Sequence, residues 1–320
     1  KQIQVQDSGS LSTDLSSKKS QLLKEKSIFR AVRCVLKVNL AKMAAANILR
    51  GHISNNSHPF RYPDYMSLYK WEDFDYDSWQ VWMGKNWSVS VYLTVVYVGL
   101  IYIGRQWMKN RDPYRLKGPL VLWNFGLAIF SIVGVIRTLP ELAYLMQEQN
   151  GFHTSVCIRD RMHVGTVFWT LMMALTKAIE LGDTAFIVLR KQPLILLHWY
   201  HHATVMLYCW YTYYFHDAAH RWFMTINLFV HSVMYSYYAL RAMGIKLPRS
   251  LAMCITFLQL NQMFFGVAVN GYALYMKRTG IECQTETFNI MLALLMYATY
   301  AVLFGNFFNK SYIQKKKKFD

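Results

Sequence analysis

Seven stretches of this chain are long and apolar enough to cross a bilayer as helix, and that limits what it can fold into more than any other feature. A spanning helix needs about 20 apolar residues, a length approached by Trp87–Ile103, Pro119–Ile136, Val164–Leu189, Leu196–Phe215, Trp222–Leu240, Leu251–Met276 and Phe288–Phe308. Lipid offers a backbone no hydrogen bonds, so each segment must satisfy its own. The expected fold is all-α and integral to the membrane, with seven transmembrane helices. At 54% hydrophobic and only 17% charged residues, the chain carries more apolar surface than a soluble domain hides. Its net charge of +17 sits between the apolar runs, so it reports membrane topology rather than a nucleic-acid partner. The five cysteines lack CxxC or CxxH spacing, so neither a zinc site nor a disulfide scaffold is indicated.

Lys and Arg concentrate on the cytoplasmic side of membrane proteins. The first, third and fifth connections and the tail carry 15 of them against two acids, Asp112 and Asp320, and are read as cytosolic. The second, fourth and sixth carry six basic residues against six acids, which places them and the N-terminal arm in the lumen. Residues 1–86 form that arm, 87–308 the helical domain and 309–320 a basic tail. The first 42 or 65 residues read as an upstream extension, with Met43 or Met66 as the natural start; the competing reading is a targeting segment over Arg30–Leu49. Asn55 opens a lumenal glycosylation sequon. Cys157 and Cys283 both fall on the lumenal side, where thiols oxidise, and are expected to pair.

Charge inside a membrane is costly and marks a pathway or a site. Lys177, Glu180 and Asp183 are the charged residues within the spans, all in the third, and their three-residue steps put them on one side of a helix. The fourth span opens with His198-Trp199-Tyr200-His201-His202, three imidazoles within about 100° of arc. The fifth adds Asn227 and His231, and the sixth adds Thr256, Gln259 and Gln262. Counted inward from Lys191, Arg190, Arg241 and Arg249, these groups reach one layer about 15 Å deep. A single buried chamber open to the cytosol is expected. An ion cluster that only fixes helix packing remains an alternative for Glu180 and Asp183, as interhelical hydrogen bonding does for the sixth-span residues. HxxHH is also used by membrane di-iron desaturases and hydroxylases, whose centres draw on more histidines than the four found within spans here. A non-catalytic seven-helix protein that binds acyl lipid would share the architecture, and turnover would separate the two.

Four motifs in order resemble the fatty acid elongases, the ELO family: Lys177-Ala-Ile-Glu180-Leu-Gly-Asp183-Thr184, the HxxHH box, Asn227 to Tyr238 as NxxxHxxMYxYY, and Thr256-Phe-Leu-Gln259-Leu-Asn-Gln262. The likeness runs from about Trp79 to Ile313. It implies six of seven helices around a tunnel closed at the lumenal end. It also implies condensation of an acyl-CoA with malonyl-CoA to a 3-oxoacyl-CoA, carbon dioxide and CoA, with no metal or bound cofactor. The stretches around Arg190 to His202 and Gly118 to Asn124 are similar to a branch using saturated and monounsaturated chains of about C12 to C16.

By resemblance His201 is the nucleophile, His198 and His202 orient it or move protons, and His231 and Asn227 serve the malonyl unit or an oxyanion. Lys177 meets substrate, while Arg190, Tyr237, Thr256, Gln259 and Lys310 line the coenzyme and its arm, with Glu180, Asp183 and Gln262 as a supporting polar cluster. Expected partners are membrane lipid, acyl-CoA, malonyl-CoA and the reductases and dehydratase of the elongation cycle; a homodimer is one assembly this allows. Lys317 and Lys318, four and three residues from the end, resemble a dilysine retrieval signal of the endoplasmic reticulum.

Overall fold

The computed structural model describes residues 65–314. Asn55, the proposed start at Met43, the proposed targeting segment and the dilysine tail lie outside them, while Met66 lies within. Within the described residues the regular elements are helices, with no strand. In chain order they are α1 Tyr76–Asn86, α2 Val89–Met108, α3 Lys117–Leu145, α4 Gly151–Cys157, α5 Val164–Ile179, α6 Gly182–Leu189, α7 Leu196–Tyr213, α8 His220–Met243, α9 Arg249–Arg278 and α10 Thr287–Phe308. A single π-helical turn, Asn309–Ile313, follows α10.

Among the described residues, four stretches are long and apolar enough to cross a membrane: α2, α3, α9 and Thr287–Ile313. The other three expected spans fall on α5 with α6, on α7 and on α8, the helices that hold the intramembrane ions and histidines. Outward faces of the long helices are apolar and exposed, as at Tyr92, Leu100, Leu122, Ile136, Phe264 and Val302, which is what a lipid-facing surface requires.

The third expected span is not one continuous helix. Its ladder stops after Glu180, whose N–H still donates to Thr176 at 2.8 Å; Asp183 and Thr184 then bond back only three residues, to Glu180 at 3.1 Å and Leu181 at 3.2 Å. Such tighter bonds mark a local 3₁₀-like break, so the run through Lys177, Glu180 and Asp183 is interrupted between α5 and α6 instead of lying on one continuous helix. Pro193 lacks an amide donor and keeps its neighbour extended, so α7 begins only at Leu196 and His198 sits in its first turn.

Close packing holds the bundle. A Cβ on Gly134 of α3 would come within 2.8 Å of Leu228 on α8 and 3.1 Å of Trp169 on α5, so a small residue lets three helices meet. Leu197, Tyr208, Met263, Met296, Tyr300 and Phe304 join α7, α9 and α10 in one core. At the end where α4 lies, Cys157 and Cys283 form a disulfide, flanked by the Gln284 N–H donating to Cys157 O at 2.7 Å. The segment before α1 is tied down at this end too. Glu72 is fully buried and accepts from the Arg137 guanidinium and from Trp169 Nε1, while Arg137 also donates to Ser67 O at 2.7 Å.

Candidate active site

The helix break sends the motif's two carboxylates to different partners. Lys177, buried in the last turn of α5, donates from Nζ to Glu180 Oε1 at 2.8 Å and to Asn227 Oδ1 at 2.8 Å. Asn227 Nδ2 lies 3.2 Å from His231 Nε2, and the other nitrogen of His231 lies 3.7 Å from Glu180 Oε1. Four side chains from α5, the break and α8 thus close a ring. Removing any one strands buried polarity, which is costly where neither water nor lipid can replace it.

Asp183 belongs to a second cluster. It accepts from Trp123 Nε1 at 2.5 Å and Tyr235 OH at 2.8 Å, and lies 3.9 Å from His202 Nε2. Thr184 Oγ1 shares hydrogen bonds with His198 Nε2 at 2.9 Å and Tyr97 OH at 2.7 Å. Gly182 makes the arrangement possible. A Cβ there would stand 2.7 Å from the Trp123 ring, so only glycine lets the indole lie against the break and reach the neighbouring carboxylate.

The box imidazoles adjoin one another, with ring centroids 4.5 Å apart for His198 and His202 and 5.7 Å for His201 and His202. Their surroundings differ. His198 and His202 face the Thr184 and Asp183 side chains, whereas His201 packs 4.6 Å from the Tyr300 ring and is the one of the three that lines an internal cavity. Lys177, Asn227 and Gln262 line the same end of it. The rest of the lining is largely apolar, at Met173, Val205, Phe223, Met263 and Met296, with Thr170, Tyr208, Cys209 and Tyr297 among them and, further along α7 from His201, Thr212 and Tyr213 together with His220 of α8.

The remaining expected site residues stand apart from the histidines. Gln259 Nε2 contacts Met234 Sδ at 3.0 Å, and Thr256 Oγ1 lies 3.2 Å from Tyr312 OH. Tyr237 is half-buried beside Tyr238, with ring centroids 5.7 Å apart. Arg190 caps α6 half-buried, and Lys310 is exposed in the π-helical turn. Three residues that sequence reasoning missed complete the site: Tyr97, Trp123 and Tyr300. Each approaches from a different, largely apolar helix, where no spacing signals it. Among the described residues, no group of three or more His, Cys, Asp or Glu side chains is placed to hold a metal ion.

Helices with lipid-facing exteriors, enclosing imidazoles at one end of an apolar cavity, define an integral membrane protein whose site suits a long aliphatic chain. Residues 82–320 match the family described as ELO, GNS1/SUR4. The chain is 45% identical over 256 residues to very long chain fatty acid elongase 6 of Drosophila melanogaster, covering 78% of this chain and 81% of that one. It is 46% identical over 239 residues to very long chain fatty acid elongase 6 of Homo sapiens, covering 74% and 89%. The human very long chain fatty acid elongase 3 is 42% identical over 235 residues, covering 73% and 86%. The chain belongs to the ELO family of fatty acid elongases.

Proposed function

We propose that this elongase extends saturated and monounsaturated acyl-CoA chains of about C12 to C16 through an acyl-enzyme on His201, in a seven-span fold of the endoplasmic-reticulum membrane with its cavity entered from the cytosol. The observation that carries the reading is that His201, alone of the three box histidines, lines the cavity, at its polar end with Lys177 and Asn227. The spacing of the lining residues along α7 supports the chain class. At about 1.5 Å per residue, α7 from His201 to Tyr213 measures about 18 Å. An extended acyl chain advances about 1.25 Å per carbon, from carbon–carbon bonds of about 1.5 Å, so about 14 carbons span it.

A neutral imidazole nitrogen is a competent nucleophile toward a thioester, and imidazole leaves well from the product. The His201 nitrogen attacks the acyl carbonyl, the C–S bond breaks, and CoA departs as the thiol with the imidazole proton. Malonyl-CoA then loses carbon dioxide. The electron pair of the broken C–C bond attacks the acyl-imidazole carbonyl, the C–N bond breaks, and the ring recovers a proton. Products are the 3-oxoacyl-CoA, carbon dioxide and CoA.

His198 and His202, fixed by Thr184 and Asp183, support the His201 ring. Asn227, held by Lys177, has its amide beside the cavity, where it serves the developing oxyanion. His231 serves the malonyl unit. Arg190, Tyr237, Thr256, Gln259 and Lys310 are proposed for the coenzyme and its arm. Reductases and a dehydratase complete the cycle in the same membrane.

The test is elongation by purified protein given radiolabelled malonyl-CoA and acyl-CoA acceptors. Wild type should transfer label and, without malonyl-CoA, carry an acyl adduct on His201 visible by mass spectrometry. Label transfer with no adduct, retained in His201→Ala, would refute the covalent route.

A further inference from the structure

The cavity is polar at both ends, and the proposed reaction uses only one. At the far end His220 is more than nine-tenths buried, and neither of its ring nitrogens has a partner among the described residues. Tyr213 is 1% exposed, and its hydroxyl is equally unpartnered. Thr212, also 1% exposed, donates its hydroxyl to Tyr208 O at 2.8 Å and keeps lone pairs to accept with. All three line the cavity. Buried donors and acceptors left unpaired are expensive, and nothing in the proposed chemistry explains retaining two such side chains, Tyr213 and His220, where a methyl terminus would lie.

We propose that Thr212, Tyr213 and His220 form a polar subsite for a hydroxyl at the far end of the acyl chain, so that ω-hydroxyacyl thioesters of matching length are bound and elongated. The inference deepens the acyl-CoA reading above and rests on it. Imidazole can donate through one nitrogen and accept through the other, and the tyrosine hydroxyl can do both. A terminal hydroxyl therefore finds partners whichever way its proton points. Between the two polar ends the lining is mostly apolar, at Met173, Val205, Phe223, Met263 and Met296, with Thr170, Tyr208, Cys209 and Tyr297 set among them. A hydroxyl on a shorter chain would not reach the unpartnered Tyr213 and His220, so the subsite selects for length as well as for the group. About 14 to 16 carbons bring the chain end from His201 to the level of Tyr213 at about 1.5 Å rise per helix residue, whereas a chain of about ten stops short of it, near Tyr208 and Cys209.

The experiment uses the purified full chain in detergent. Thermal stabilisation by acyl-CoA alone is titrated for methyl-ended and ω-hydroxy chains of 10, 12, 14 and 16 carbons. The ω-hydroxy form should bind at least as tightly as the methyl form at 14 and 16 carbons, and the ratio of the two affinities should be about tenfold lower at 10, where the hydroxyl does not reach Tyr213 and His220. His220→Phe and Tyr213→Phe should each lower the ω-hydroxy to methyl affinity ratio for the long chains by about tenfold. The readout is that ratio, so general loosening of the fold does not imitate it, and if one variant fails to fold the other decides with the length series. A constant penalty for the hydroxyl at every length, or a ratio unmoved in the variants, would overturn the subsite. Adding malonyl-CoA separates the two ideas. Length-dependent binding without product leaves the subsite standing and removes the elongation reading, while elongation of methyl-ended chains with a uniform hydroxyl penalty does the reverse.

Discussion

His201 and its neighbours divide one task between a reacting ring and the groups that hold it. If His201 forms the acyl bond, His201→Ala should lower turnover by roughly 10³-fold or more, because an activated nucleophile is not replaced by water. The protein should still assemble, since the Lys177–Glu180–Asn227–His231 ring and the Asp183 contacts are untouched. Tyr97→Phe acts at one remove. It takes from Thr184 one of its two side-chain hydrogen bonds and should cost about tenfold in kcat, near the worth of one buried hydrogen bond, with little change in KM. An unchanged kcat would show that Thr184 orients His198 without help. Sequence alone exposed the histidine box and Lys177, because their partners recur at helical spacing within one segment. Tyr97, Trp123 and Tyr300 escaped because each belongs to another apolar helix, where a single tyrosine or tryptophan carries no periodic signal. Helical faces were legible; which faces meet is a tertiary matter.

The break between α5 and α6 shows the same limit at the next scale. Hydrophobicity marked Val164–Leu189 as one span, and no proline warned of an interruption. Across the interface the Trp123 indole occupies the space over Gly182. Gly182→Ala should therefore push the indole off Asp183, at about 1–3 kcal/mol of stability, the usual cost of overpacking, and lower activity more than an alanine elsewhere on α6. Wild-type turnover and melting would mean the ring can move without consequence. The segment before α1 offers a second test through Glu72. Burial pushes its carboxyl up, but hydrogen bonds from Arg137, Trp169 and the Tyr69 amide outweigh that and hold it below the usual glutamate range. A lowered folded-state value gives stability that is complete above the unfolded value near 4.5 and is lost as pH falls through the folded one. Wild-type melting temperature should fall on acidification below that value. Glu72→Gln should flatten this response while lowering stability at neutral pH by roughly 3 kcal/mol, since Arg137 keeps its charge without its partner. An unaltered acid response would move its origin elsewhere.

At the scale of the whole molecule, charge and cysteine chemistry point to the same sidedness. Lys and Arg crowd the connections next to α2–α3, α6–α7 and α8–α9, while the disulfide joins the end of α4 to the connection between α9 and α10. Disulfides persist in the lumen and rarely in the cytosol, so the bond and the basic loops are expected on opposite faces of the membrane. Lys246 lies exposed between α8 and α9. In sealed microsomes with the cytosolic face outward, limited trypsin should cut after Lys246 without detergent. That cut leaves Cys157 in one fragment and Cys283 in the other. The fragments should therefore run together on a non-reducing gel and separate when reduced. Because 126 residues separate the two cysteines, the bond removes about 5 kcal/mol of chain entropy from the unfolded state as an upper figure, so the uncut Cys157→Ser, Cys283→Ser double variant should also melt at lower temperature. Fragments that part without reductant would deny the bond, and a Lys246 site that resists trypsin until detergent is added would reverse the orientation.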